Sequence, residues 1–194
     1  MDTTNGHTVK PYLQSKIHPL KFALWVGIGS ILMVFASLTS AYVVRQASGN
    51  WIEFVMPKAF YISTALIILS SVLLHLSYLA FKREEERPYK NYLLGAGILG
   101  VGFLIFQYQG WLTMMEYGLP LRTNASGDFT YILSWLHAGH VLGGLLAIAI
   151  SILVAFSIPF KVTASRKLRL ELVLTYWHFV DILWIYLLLF FILQ

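Results

Sequence analysis

Apolar residues fall into five long blocks, at roughly 21–44, 58–81, 92–115, 129–157 and 172–193, and most charged residues lie between them. A helix needs about 20 apolar residues to cross the hydrocarbon core of a bilayer, and each block is long enough. In lipid a lone segment satisfies its backbone only as a helix, because sheet edges must close into a barrel. The pattern predicts an all-α integral membrane protein, a bundle of five transmembrane helices forming a single membrane domain over 1–194. The connections are short, and neither a separate soluble domain nor an internal repeat is visible.

Composition sharpens this picture. The chain is 58% hydrophobic and 12% charged, against about 25% charged for a soluble domain. It has no cysteine, which excludes disulfides, thiolate-held metals, iron–sulfur clusters and a cysteine-bridged copper site within this chain. The net charge of +5 reflects topology rather than a nucleic-acid surface, and no nucleic-acid partner is expected. Of the 14 Lys and Arg residues, all but Arg45, Lys58 and Arg122 fall on one side: Lys10, Lys16, Lys21, Lys82, Arg83, Arg87, Lys90, Lys161, Arg166, Lys167 and Arg169. The positive-inside rule then places the N-terminus in the cytoplasm and the C-terminus outside. The polar segment 1–20 lacks a signal-peptide pattern, so the first span is expected to target and anchor the chain uncleaved.

Candidate chemistry lies inside the blocks. In the last, Tyr176-Trp177-His178-Phe179-Val180-Asp181-Ile182-Leu183-Trp184, His178 and Asp181 are three apart and share a helix face. Trp177 and Trp184 flank the same side. An Asp at membrane depth costs roughly 2.5 to 3.5 kcal/mol on insertion, so it marks function or pairing. In the fourth block Gly139, Gly143, Ala147, Ser151 and Ala155 recur every fourth residue as a small-residue ridge, expected to allow close helix packing. His137, His140 and Gly144 lie on another face. His140 sits about 16 Å deep and Asp181 about 15 Å deep at 1.5 Å per residue, so a hydrogen bond from His140 or His137 to Asp181 is expected. Gly27, Gly29, Ser30, Ala36, Ser37, Ser40 and Ala41 in the first block, and Gly95, Gly97, Gly100 and Gly102 in the third, also read as packing positions. His75 lies about 9 Å from the cytoplasmic end of the second span and reads as a locally paired imidazole.

Several chemistries compete for these residues. A haem-binding anchor needs two facing His at matched depth, which His75 and His178 supply, and basic residues for the propionates. With several His in five spans, one such depth match is unremarkable. A carboxylate-bridged metal site needs several Glu inside the bundle, but the span interiors offer only Asp181, with Glu116 at an end. A transporter would be expected to show an inverted repeat or Pro-interrupted spans, and Pro57, Pro88, Pro120 and Pro159 all sit at connections. The favoured reading is a non-catalytic scaffold with no catalytic, cofactor-binding or metal-binding residues of its own. The alternative is a haem- or quinone-binding membrane anchor of a respiratory complex.

The string Tyr176-Trp177-His178-Phe179-Val180-Asp181 with its apolar, Trp-containing tail closely resembles the last helix of subunit III of the haem-copper oxidases. Leu136-His137-Ala138-Gly139-His140-Val141-Leu142-Gly143-Gly144 resembles that family's His-x-x-His-Val-x-x-Gly stretch. The first span, with Trp25 at its opening and Ala41-Tyr42 at its close, resembles the first helix of short five-span members. Those often carry an intramembrane Glu where this chain has Ile31, and in relatives an acid often precedes the residue matching Trp111, where this chain has Gly110. The resemblance implies a bacterial cytoplasmic-membrane subunit without a redox centre, the haems and copper belonging to subunits I and II. It implies contact mainly with subunit I and also with subunit II, bound phospholipid in a cleft lined partly by the first span, and support of proton-pumping oxygen reduction in aerobic respiration. It also implies that His137, His140, His178 and Asp181 hold the bundle together rather than carry electrons. Cytochrome c oxidases, quinol oxidases and a nitric oxide reductase-associated branch share the signature, and membership of a larger respiratory supercomplex stays open.

Overall fold

A computed structural model describes residues 18–194 except 48, 50, 53 and 123; Lys10 and Lys16, and the reading of the N-terminal segment, lie outside the described residues. Five helices follow one another: α1 (Pro19–Gln46), α2 (Lys58–Lys82), α3 (Glu86–Glu116), α4 (Ala125–Ser157) and α5 (Ala164–Leu193). Each is long and apolar enough to cross a membrane, giving an all-α bundle of five spans. α3 and α5 start well before their apolar blocks, so Arg87 and Lys90 on α3 and Arg166, Lys167 and Arg169 on α5 ride on the first turns of spans rather than on loops.

The helix ends explain the tight connections. α2 stops with Arg83 as its cap and Glu84 in the left-handed region at φ 62°. The Glu85 N–H then reaches Ala80 O at 3.0 Å and the Glu84 N–H reaches Phe81 O at 3.2 Å, the paired bonds of a Schellman ending. α3 ends the same way at Gly118, φ 80°, with Leu119 N–H on Met114 O and Gly118 N–H on Met115 O. Asn124 accepts from Ser126 N–H to open α4, and Thr163 accepts from Arg166 N–H to open α5, each satisfying a donor that the helix leaves unpaired.

α2 and α3 run together as a hairpin, α3 meets α4, α4 meets α5, and α5 closes the ring against α2. α1 lies outside this ring, against α4 and α5 only. Hydroxyls and amides stitch the hairpin: Ser77 donates to Tyr89 O, Ser70 to Ala96 O, and Gln107 to Ser63 Oγ. In lipid no hydrophobic difference separates a Leu facing a helix from one facing a tail, so such bonds and close packing carry the association. α1 is held more lightly, by Phe35, Thr39 and Tyr42 on its inner face, a Tyr186–Thr39 hydroxyl bond and a Lys21–Glu171 ion pair at 2.7 Å.

This arrangement corrects the expectation for α1. Nothing lies within 4 Å of where a side chain on Gly27 or Gly29 would begin, and Ser30, Ala36, Ser37, Ser40 and Ala41 are exposed. The small residues of α1 do not seat against another helix of this chain. The inner face instead uses aromatic residues, with Tyr42 packed among Trp51, Phe129 and Phe190.

Candidate functional site

The inner face of α5 carries Trp177, Asp181, Trp184 and Leu188 at helical spacing, all buried. Trp177 is wedged between α3 and α4 because both present glycine to it. A side chain on Gly100 would begin 3.0 Å from Trp177 Cη2, and one on Gly144 would begin 2.8 Å from Trp177 Cε3. The indole thus occupies the space that two side chains would take. Two turns further along α5, Trp184 packs on Phe60, Phe103 and His137 and donates from Nε1 to Thr64 Oγ1 at 2.9 Å. The tryptophans therefore fix α5 against every other helix of the ring.

The polar residues separate into two groups. His137 is wholly buried, with Trp184 at a ring distance of 5.1 Å, Phe103 at 5.8 Å and Phe35 at 6.5 Å, and neither ring nitrogen has a hydrogen-bond partner. Its neighbour His140 donates from Nδ1 to Leu136 O at 2.7 Å, one turn back on α4, and its own carbonyl accepts from Tyr176 Oη at 3.1 Å. Asp181 is bonded to neither, and its Oδ1 has no hydrogen-bond partner. The expected bond from His140 or His137 to Asp181 is not made. Asp181 instead shares its face of α5 with His178, three residues before it.

The second group is built around His178. Ser71 Oγ lies 2.8 Å from His178 Nδ1, and His178 Nε2 lies 3.4 Å from His75 Nδ1. Depth alone pairs His75 with His178, and the structure brings them together. In this structure the two imidazoles contact each other directly. Ser71 went unnoticed in the sequence, although its place four residues before His75 on the same face of α2 was the available signal. Among the described residues, no group of three or more His, Cys, Asp or Glu gathers to hold a metal.

The small-residue ridge on α4 is only partly used within this chain. Gly139 and Gly143 are exposed, with open space beside Gly139 and only Tyr176 Oη, at 3.7 Å, near Gly143. The close helix contact runs through Gly144, on the face with His137, Val141 and Ile148. Ala147 and Ser151 floor an open, mostly apolar groove between α4 and α5, with Phe160, Arg166 and Arg169 at its polar end. Spacing identifies the ridge but not the side on which neighbours stand.

Five apolar spans around a buried aromatic core define a polytopic helical membrane protein. The family described as cytochrome c oxidase subunit III matches residues 18–193, and the chain belongs to that family. A probable cytochrome c oxidase subunit 3 of Mycobacterium tuberculosis is 30% identical over 185 residues, covering 89% of this chain and 90% of that protein. The cytochrome c oxidase subunit 3 of Corynebacterium diphtheriae is 30% identical over 174 residues, covering 82% and 83%. A heme-copper oxidase subunit I+III of Aeropyrum pernix is 26% identical over 186 residues, which is 90% of this chain and 22% of that longer protein. With its five spans and bacterial relatives, the chain is a multi-pass protein of the bacterial cytoplasmic membrane.

Proposed function

We propose that this chain serves as the subunit III of a respiratory haem-copper terminal oxidase that carries no redox centre. It packs on subunit I, borders subunit II, stabilises the complex and holds phospholipid, while the partner subunits carry the haems, the copper and the proton-pumping reduction of oxygen. The family match over residues 18–193 carries this reading. The similar archaeal protein named as subunit I+III supports a contact with subunit I. The groove between α4 and α5, apolar along its floor with Arg166 and Arg169 at its end, supports a site for acyl chains beneath an anionic headgroup.

In this reading 1–194 is one membrane domain, with the N-terminus in the cytoplasm and the C-terminus outside, as the distribution of Lys and Arg supports. His137, His140, Trp177, His178 and Asp181 hold the bundle together. Ala147 and Ser151 face lipid in the groove, and the exposed Gly139 and Gly143 accept close approach from a partner helix. The complex is purified in mild detergent through a tag on this chain, and its components are identified by mass spectrometry. Haem- and copper-bearing subunits I and II are expected to co-purify; a chain that purifies alone, or with a different respiratory complex, overturns the proposal.

A further inference from the structure

α5 forms the floor of a valley. α1 and α2 both pack on it and, among the described residues, do not meet each other. A strip of α5 therefore stays open between them: Glu171, Thr175, His178, Ile182, Tyr186 and Leu189, at the three- and four-residue spacing of one helix face. Contacts to both walls fix where this strip points. Glu171 accepts from Tyr78 of α2 and pairs with Lys21 of α1. His178 bonds to His75 of α2, and Tyr186 donates to Thr39 of α1. Ile182, Tyr186 and Leu189 are exposed.

The α2 wall carries a polar group that lipid does not satisfy. His75 is exposed between exposed Val72 and Leu76, about 9 Å inside the end of the span. Its Nδ1 is held 3.4 Å from His178 Nε2, and His178 Nδ1 lies 2.8 Å from Ser71 Oγ. Tied at Nδ1, the ring is not free to swing to the headgroups, and no described residue hydrogen-bonds its Nε2. An imidazole inside a membrane faces protein or water and is paired. The α1 wall is low. Phe35 marks the side of α1 that meets α4, and Lys21 and Thr39 the side that meets α5. At about 100° per residue, Ala36, Gly29 and Ser40 come next around the helix, on the valley side. Ala36 and Ser40 are exposed, and nothing lies within 4 Å of where a side chain on Gly29 would begin.

We propose that this valley seats one transmembrane helix of a partner subunit, which presents a hydroxyl or carboxyl side chain to His75 Nε2. The proposal rests on the chain being an oxidase subunit and names a surface that it uses. A hydroxyl or a protonated carboxyl both donates and accepts, so it matches either tautomer of the His75–His178 pair. An acyl chain would fill the valley and leave Nε2 an unpaired polar group in hydrocarbon, which is costly. A helix fills the valley and pairs it, and the small residues of α1 let its backbone come close.

The test places the photo-crosslinker p-benzoylphenylalanine at Ile182 on the floor or at Ala36 on the α1 wall. The complex is irradiated in native membranes, purified whole, and its adducts are mapped by mass spectrometry. Both positions should mark one transmembrane segment of a partner subunit. That segment should carry a Ser, Thr, Tyr, Asp or Glu within about two helical turns of the position 182 adduct. Adding His75→Phe should lower the adduct at position 182 about threefold or more, the worth of one interhelical side-chain bond in a membrane. His75→Gln, which keeps a donor and an acceptor, should restore it. Adducts to lipid alone, to a second copy of this chain or to a segment without such a side chain overturn the proposal. So does a yield unmoved by His75→Phe, or a loss that His75→Gln does not restore. Each of these results leaves co-purification of subunits I and II intact, so the two readings fall separately.

Discussion

Replacing Gly144 with alanine tests how the bundle is held. The new Cβ would stand 2.8 Å from Trp177 Cε3, 3.0 Å from Cζ3 and 3.2 Å from Tyr176 Cε1, where carbon pairs normally rest about 3.5 to 4.0 Å apart. The indole must retreat by roughly 0.7 Å or more to reach that range. Its opposite edge, Cζ2 and Cη2, faces Gly100 on α3, so the retreat drives it into the other helix. Trp177 is wholly buried and has no flexible end to yield, unlike Leu145, which takes part of the strain at Gly100. Overpacking of this kind costs about 1 to 3 kcal/mol, with Gly144→Ala above Gly100→Ala. Because both substitutions squeeze one ring, the double variant should lose more than the sum, with a coupling of about 0.5 kcal/mol or more. Reversible unfolding in bicelles by steric trapping gives these differences directly. In a Trp177→Phe background, the cost of Gly144→Ala should fall to less than about half. A cost unchanged by Trp177→Phe, or a Gly144→Ala variant as stable as wild type, would refute the reasoning.

Three further outcomes follow from the same structure. Glu84→Gly should stabilise the protein by about 1 kcal/mol, because a residue with a Cβ pays roughly that much for the left-handed conformation that ends α2; the same unfolding assay reads it. Glu171→Gln neutralises the carboxylate that Lys21 and Tyr78 contact through its two oxygens. With the Lys21 side chain partly exposed the global cost stays below about 1 kcal/mol, but hydrogen exchange at the Lys21 end of α1 should rise while the α2–α3 hairpin is unchanged. Thr64→Val takes away the acceptor of the Trp184 indole and should cost about 0.6 kcal/mol, the usual worth of an interhelical side-chain bond in a membrane, with a shift in tryptophan fluorescence as its second signature.

The five spans were legible because block length and charge clustering are one-dimensional properties. So was the importance of the segment from Trp177 to Trp184, since a buried Asp between two tryptophans conflicts with lipid on any arrangement. What faces what was not legible. In a soluble helix the apolar stripe points inward, but in a membrane both faces are apolar, and a ridge such as Gly139, Gly143, Ala147 and Ser151 can look either way. The structure turns that ridge outward and packs Gly144 instead. That α5 meets α2 through the Ser71–His178 bond, and leaves Asp181 unbonded to His137 or His140, depends on the rotation of α5 about its axis. That rotation is set by one indole, Trp177, finding glycines on α3 and α4, and no spacing within α5 encodes it. The looseness of α1 was hidden for the same reason: its small residues are real, but the ring of α2 to α5 closes without them.

The central claim, a subunit that builds an oxidase without carrying its redox chemistry, is tested most directly by optical spectroscopy of the chain after release from the purified complex. Reduced-minus-oxidised spectra of the released chain and of the remaining complex are compared. The account predicts that all haem absorbance stays with the remaining subunits and that the released chain shows no Soret band. A haem that stays with the released chain, and is lost on His75→Phe or His178→Phe, would contradict it.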